Sequence, residues 1–446
     1  MAIVERSSRA DSVNGEVIAS DGSGPISKPL KSPSFFENRR PLCLEMTKLA
    51  SRSRTFKYRL YPTKLQTETL LLQQKYQCEL YNAALEERIG AWTWERRSVN
   101  YFDQCSSLKG LKDYRPEVLA SGVVLCRGTL RRLDRAYSAF HRRVKNGETP
   151  GFPRFKSTSR FDSLEWEDQG GWKLKSQQQG IYLKGIGDIK VKYHRPFTGD
   201  PKAITVKREG SKWWLNVRCV NVPTMPMAKT FSEIGLDLGI VNQITTSDGE
   251  MVKGKRYGAN GQKNLTQAQR HLATKLQNSN RRKRQLEIVA RHHRKIRNQR
   301  RDSAHKLSRR LVNDYDFIAL EDLNIRSMVR APKAIPDPTS KGVFLPNGAK
   351  CKAGLNRSIH DAGWGQFVSL LSYKAESAGR TLVKVDPRHT SQMCTECHFV
   401  DQGNRSNQTD FRCLRCGHRD FADINAARNI LRAGRAQQAS ACVGFS

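Results

Sequence analysis

Four cysteines of this chain form two pairs, Cys394-Thr395-Glu396-Cys397 and Cys413-Leu414-Arg415-Cys416, with 15 residues between them. Two intervening residues turn the backbone so that both thiolates of a pair face one tetrahedral ion, and the spacing between pairs is that of structural zinc. Gly417 permits a tight turn after the second pair. Four thiolates leave no open coordination position, so the expected Zn²⁺ holds structure rather than catalysing. His398 and His418 are substitute ligands, and free or redox-active thiols are the alternative. A second chemistry rests on three carboxylates. Asp237 interrupts the apolar run Ile234–Ile240, Glu321 follows Phe317-Ile318-Ala319-Leu320, and Asp423 precedes Ile424-Asn425-Ala426-Ala427. Singly they read as a turn aspartate, a solvated strand end and a helix N-cap. Together they point to a cation site, because a carboxylate in so apolar a run must be paired or bind a metal.

The elements around these residues decide whether they can meet. Ile234–Gly239, Gln243–Thr246 and Met251-Val252 read as strands, with Asp248-Gly249 as a turn. A long helical stretch over 264–310 follows, and Tyr315–Asp322 is a buried strand ending in carboxylates. Residues 330–354, rich in Pro, Gly and Lys, read as a mobile loop. Asn356–Gly379 reads as a helix, Thr381–Val385 as a strand and Ile424–Arg432 as the last helix. A hairpin sheet, a crossover helix and carboxylate-ended strands fit an RNase H-like fold. There the first strand, the fourth strand and the final helix converge at one edge, and three carboxylates would bind two Mg²⁺ ions about 3.5–4 Å apart. The order Asp, Glu, Asp is that of RuvC nucleases, whereas cut-and-paste transposases run Asp, Asp, Glu.

Upstream, Thr55–Tyr61 alternates bulky and basic residues as a strand does, and Pro62 ends it. Residues 64–148 are helical, with basic polar faces that include Arg131, Arg132, Arg135, Arg142 and Arg143. From Pro150 to about Pro226 the pattern returns to β, and the Thr55–Tyr61 strand is expected to join that sheet from a distance. Trp213 and Trp214 read as packing residues. Residues 1–50, rich in Ser, Gly, Pro and charge, read as disordered, with Met46 as a second candidate start.

The charge balance speaks to partners. The 446 residues hold 78 Lys and Arg against 42 Asp and Glu, a net charge of +36, which favours a polyanion over a ribosome-associated or membrane-surface role. The stretch 264–310 alone carries 15 Lys and Arg against Glu287 and Asp302, a phosphate-seeking ridge. No apolar run is long enough for a membrane helix, and no apolar segment follows Arg6 and Arg9 as in a secretory signal. The expected setting is the prokaryotic cytoplasm, without a membrane.

Gly235-Leu236-Asp237-Leu238-Gly239, Leu320-Glu321-Asp322-Leu323 and Asp423-Ile424-Asn425-Ala426-Ala427 resemble the three RuvC motifs of the TnpB family of transposon-encoded nucleases. Supporting matches are Tyr58–Pro62, Gly151–Phe155, Asp361-Ala362-Gly363-Trp364 and Thr390-Ser391-Gln392-Met393-Cys394. The resemblance spans about residues 54–432. It implies an α+β multidomain fold: a β-barrel (54–63 with 150–230) with an inserted helical recognition segment (64–149), then a RuvC-like α/β nuclease domain (231–390 with 417–432). A zinc ribbon (391–416) is inserted in the nuclease domain, and 433–446 is a tail. It also implies that Asp237, Glu321 and Asp423 bind Mg²⁺ and cut double-stranded target DNA chosen by a guide RNA, the protein reading only a short flanking motif. Compact type V CRISPR effectors share the motifs. Two more distant possibilities are an RNA-guided repressor that does not cut and a guide-independent junction nuclease.

Overall fold

The computed structural model describes residues 52–175, 179–340 and 342–443. The disorder expected for 1–50 and the Met46 start lie outside the described residues. Strand β1 (Arg54–Tyr61) alternates as its sequence does, burying Phe56, Tyr58 and Leu60. After Pro62, Thr63 caps helix α1 (Lys64–Glu95): its hydroxyl accepts from the Gln66 N–H while the Gln66 side chain accepts from the Thr63 N–H. Short helices α2 (Tyr101–Ser107), α3 (Leu111–Tyr114) and α4 (Pro116–Leu119) lead to the amphipathic α5 (Val123–Lys145). Strands β2 (Ser163–Trp166), β3 (Trp172–Lys175), β4 (Gly180–Leu183), β5 (Gly187–Lys192), β6 (Asp200–Glu209) and β7 (Lys212–Val220) then form an antiparallel sheet with β1. Its order is β2-β6-β7-β1-β5-β4-β3, so β1 does join from a distance, near the middle. Among the described residues the order ends at β2 and β3 without closing, so the β-barrel expected here is a half-barrel sheet.

One apolar core serves sheet and helices alike. Tyr81, Leu85, Leu130 and Leu133 from α1 and α5 pack with Phe161, Trp166, Leu183 and Leu215. Helix α5 lies so close to β2 that a Cβ on Gly128 would sit 2.1 Å from the Glu165 carbonyl oxygen.

The second half is built on strands β8 (Glu233–Asp237), β9 (Asn242–Thr246) and β10 (Met251–Lys253), helices α6 (Tyr257–Ala273) and α7 (Asn280–Asp314), and strand β11 (Phe317–Glu321). After α8 (Ile325–Met328) comes a small hairpin, β12 (Ile335–Pro336) with β13 (Phe344–Leu345), inside the stretch read as loop. Helices α9 (Ala349–Ala362) and α10 (Trp364–Ala378), strand β14 (Thr381–Val385), the hairpin β15 (Asp410–Arg412) and β16 (Arg419–Phe421), and helix α11 (Ala422–Val443) follow. The sheet order is β10-β9-β8-β11-β14; β8, β11 and β14 are parallel and the β8-β9-β10 part is antiparallel. Helices α7 and α10 cover one face through Leu311, Val312, Phe367 and Leu371, and α11 covers the other through Ile430. Strands covered on both faces read as unbroken apolar runs, as Ile318–Leu320 does.

Several helix boundaries differ from the sequence reading: α6 starts earlier, at Tyr257, α7 ends later, at Asp314, and α9 starts at Ala349, inside the stretch read as loop. The stretch read as one helix over 264–310 is two, because Asn278 adopts a left-handed backbone (φ 63°) and Ser279 caps α7 by accepting from the Arg282 N–H. The helix expected over Asn356–Gly379 breaks at Gly363, φ 68°. Helix α11 runs on through the expected tail to Val443, and Gly434 packs against Ala319 and Phe317. The two halves meet where Glu209 accepts from Lys57 Nζ (2.9 Å) and from Arg297 of α7 (3.1 Å).

Candidate active site and metal centre

Parallel pairing sets the first two carboxylates. Leu236 of β8 lies opposite Leu320 of β11, so the next and last residue of each strand, Asp237 and Glu321, comes at the same end of the sheet. The third, Asp423, stands in the first turn of α11, which crosses both strands. The crossing is close: a Cβ on Gly235 would lie 2.1 Å from the Ala427 carbonyl oxygen, which accounts for glycine two residues before Asp237. The three residues singled out in the sequence are thus brought to one edge.

Burial pushes the Asp237 carboxyl up to about 7, helped by repulsion from Glu321 and Asp423 and opposed by Arg405. Burial also raises Glu321, against a hydrogen bond donated by Thr390 Oγ1 to Glu321 Oε1 at 2.6 Å. Arg405 Nη2 lies 3.2 Å from Asp423 Oδ1. Three carboxylates share this edge with the Arg405 guanidinium. The donor set, hard oxygens in a poorly solvated place, fits divalent cations such as Mg²⁺. Arg405 and Thr390 were not picked out for these roles in the sequence. Arg405 lies in the polar loop Gly403-Asn404-Arg405-Ser406-Asn407, which carries no periodic or motif signal.

The four cysteines converge as their spacing implies: all four Sγ atoms lie within 4.8 Å of one another. Cys394 and Cys416 are 3.7 Å apart and Cys397 and Cys413 3.5 Å. Tetrahedral zinc with Zn–S bonds of about 2.3 Å separates its sulfurs by about 3.8 Å, so the cluster fits that ion. Burial opposes ionisation of Cys413, but hydrogen bonds from the Cys416 and Arg415 backbone outweigh it and bring the thiol down to about 6. Neither histidine joins the cluster. His418 Nε2 lies 3.3 Å from Thr395 Oγ1, and His398 contacts Arg432. The buried Asn404 ties the knuckles together, donating to the Gln392 and Phe399 carbonyls and accepting from the Leu414 N–H.

Basic residues line two concavities apart from these sites. A cleft of about 680 Å³ between the first sheet and α7 is lined by Lys57, Arg195, Trp214 and Arg301. Beside α5, Arg143, Arg154 and Arg160 line a second concavity, and among the described residues none pairs with a carboxylate. No described helix is long and apolar enough to cross a membrane.

Fold and sites together define a basic α+β protein with a half-barrel sheet, a carboxylate-edged mixed sheet and a four-cysteine cluster. Residues 217–331 match a family described as "Probable transposase", and residues 364–430 match the Cas12f1-like TNB domain. A protein of Escherichia coli (strain K12) named "Putative RNA-guided DNA endonuclease InsQ" is 33% identical over 69% of this chain and 73% of its own. A Streptomyces pristinaespiralis protein named in the same way is 32% identical over 87% of this chain and 90% of its own. The CRISPR-associated endodeoxyribonuclease Cas12f1 of Sulfoacidibacillus thermotolerans is 55% identical over 13% of this chain and 14% of its own. The chain belongs to the TnpB family of RNA-guided DNA endonucleases.

Proposed function

We propose that the protein is a transposon-encoded, RNA-guided endonuclease that cleaves target DNA beside a short flanking motif by phosphodiester hydrolysis, with Asp237, Glu321 and Asp423 holding two Mg²⁺ ions. The observation that carries this is the meeting of three carboxylates at one sheet edge, with Asp237 pushed up to about 7 by burial and by its two neighbours. Such a group is costly to ionise alone and readily ionised beside a cation. The order β10-β9-β8-β11-β14, with a helix crossing β8 and β11, also supports an RNase H-like, RuvC-type nuclease half.

Bound divalent cations supply charge stabilisation at the phosphate and a water of lowered pKa. The chain's own residues do the rest. Asp237 would have to be ionised to hold a cation, which would couple cation binding to pH near neutrality. Arg405 offsets negative charge beside Asp423, and its guanidinium would donate to a phosphate oxygen. The cysteine knuckles hold the segment that touches Glu321. Guide and target bind through phosphates, for which the α7 ridge and the cleft at Lys57, Arg195 and Arg301 are suited. The sheet and helical segment read the flanking motif, while base pairing reads the target.

The test is Asp237→Ala in protein loaded with its guide. Cleavage falls below detection while target binding stays near wild type; undiminished cutting rejects the site. Sequencing the RNA that co-purifies with the protein checks guidance. One discrete species with a constant scaffold and a variable end is expected, and a smear of host RNA rejects it.

A further inference from the structure

We propose that Thr390 is a positioning residue for Glu321, held in place by Asn429 of helix α11, so that the segment entering the cysteine knuckles and the carboxylate edge act as one mechanical unit. The inference rests on the reading of Glu321 as a cation ligand.

The contacts form a closed circuit. Thr390 is buried, and its hydroxyl lies 2.6 Å from Glu321 Oε1 and 3.0 Å from the Pro387 carbonyl oxygen. One hydroxyl proton cannot serve both acceptors, and an ionised carboxylate is the stronger. The hydroxyl proton therefore goes to Glu321 Oε1, the nearer acceptor, which orients one carboxylate oxygen and leaves the other for a cation. The backbone of Thr390 is fixed in turn: Asn429 Nδ2 donates to the Thr390 carbonyl at 2.9 Å and to the Met393 carbonyl at 2.7 Å. One turn earlier on α11, Asn425 Nδ2 donates to the same Met393 carbonyl at 2.8 Å, and its Oδ1 accepts from the Thr395 N–H at 3.2 Å. Both asparagines are buried. Cys394, the first thiolate of the cluster, lies between the two points they hold. Helix α11 also carries Asp423, so the helix that supplies one carboxylate aims the residue that orients another.

Partners that orient a metal ligand affect metal affinity or activity by about 10–100-fold when removed. A merely structural threonine would not shift cation affinity in a way that serine restores. The measurement is Mn²⁺ binding followed by electron paramagnetic resonance on the zinc-loaded protein with its guide RNA, alongside zinc content and target binding. Thr390→Val is expected to raise the Mn²⁺ dissociation constant by about 10–100-fold with zinc content and target binding kept, and Thr390→Ser to stay near wild type. Wild-type Mn²⁺ affinity in Thr390→Val overturns the proposal, as does a serine variant as weak as the valine one. Should the valine variant lose zinc or target binding, Thr390→Ala, which removes the hydroxyl without crowding, replaces it under the same criteria. Glu321→Gln separates the two layers. If it binds Mn²⁺ like wild type, the ligand assignment itself fails. If it binds weakly while Thr390→Val does not, only the positioning role fails.

Discussion

Asp237→Asn is expected to make the protein more stable and inactive, and the size of the gain follows from the site. In the folded protein without divalent cation the carboxyl is pushed from 3.8 up to about 7, chiefly by burial and then by Glu321 and Asp423. A carboxyl raised in this way is bound to a proton more tightly folded than unfolded. Below 3.8 both states hold the proton and no penalty exists; as pH rises toward 7 the unfolded chain ionises and stability is lost. Above 7 the penalty is complete, on the order of 4 kcal/mol at about 1.4 kcal/mol per pKa unit. Asparagine keeps the shape without the charge, so at about pH 8 the variant should unfold several degrees higher than wild type, and at about pH 4 the two should nearly coincide. Thermal unfolding of the zinc-loaded protein in buffer free of divalent ions measures this; a chelator is avoided because it would strip the cysteine cluster. Adding Mg²⁺ should raise the wild-type midpoint and leave the variant almost unmoved. A variant no more stable than wild type at the higher pH, or one that gains equally from Mg²⁺, would refute the account.

Other consequences are sharper in sign than in size. Cys413→Ser should lower zinc from one equivalent per chain and, through the segment leading back to Thr390, reduce cleavage, as metal analysis and a cleavage assay will show. Gly235→Ala forces a methyl toward the Ala427 carbonyl, 2.1 Å away. It should cost about 1–3 kcal/mol in denaturant unfolding and weaken cleavage more than guide binding. Replacing Lys283 and Arg284 of α7 by Gln should weaken guide-RNA binding and make its salt dependence shallower, by about 0.7–0.9 in logarithmic slope for each phosphate no longer neutralised.

What could be read from sequence divides along a physical line. Strands buried on both faces announce themselves as apolar runs, so β8 and β11 and the carboxylates that end them were visible in Ile234–Asp237 and Phe317–Glu321. The cysteine cluster was visible because thiolate geometry is encoded in two-residue gaps. The break between α6 and α7 hinges on Asn278 taking a left-handed backbone, and the stretch around it carries enough helix formers to mask that. Helix α11 reaches further than its sequence suggests because the packing that holds its later turns, Gly434 on Ala319, is tertiary. For the same reason Thr390, Asn429 and Arg405 could not be assigned roles: each acts on residues far away in the chain. That the half-barrel ends at β2 and β3 without closing was likewise invisible, since strand order is not written in any single strand.

The central place of β1 bears on how the protein matures. Tyr58 pairs with Leu215, so closing the first sheet must gather about 150 residues, an entropic cost of roughly 4–5 kcal/mol that local helices do not share. On the ribosome, β1 waits with both edges bare until β5 and β7 have emerged, and nascent-chain factors have that interval to shield it. The carboxylate edge of the second half has its own delay, because Asp237 and Glu321 are made well before Asp423. On the proposed reading of these three residues as the cation ligands, a nascent chain can gather its scaffold while its site is still incomplete.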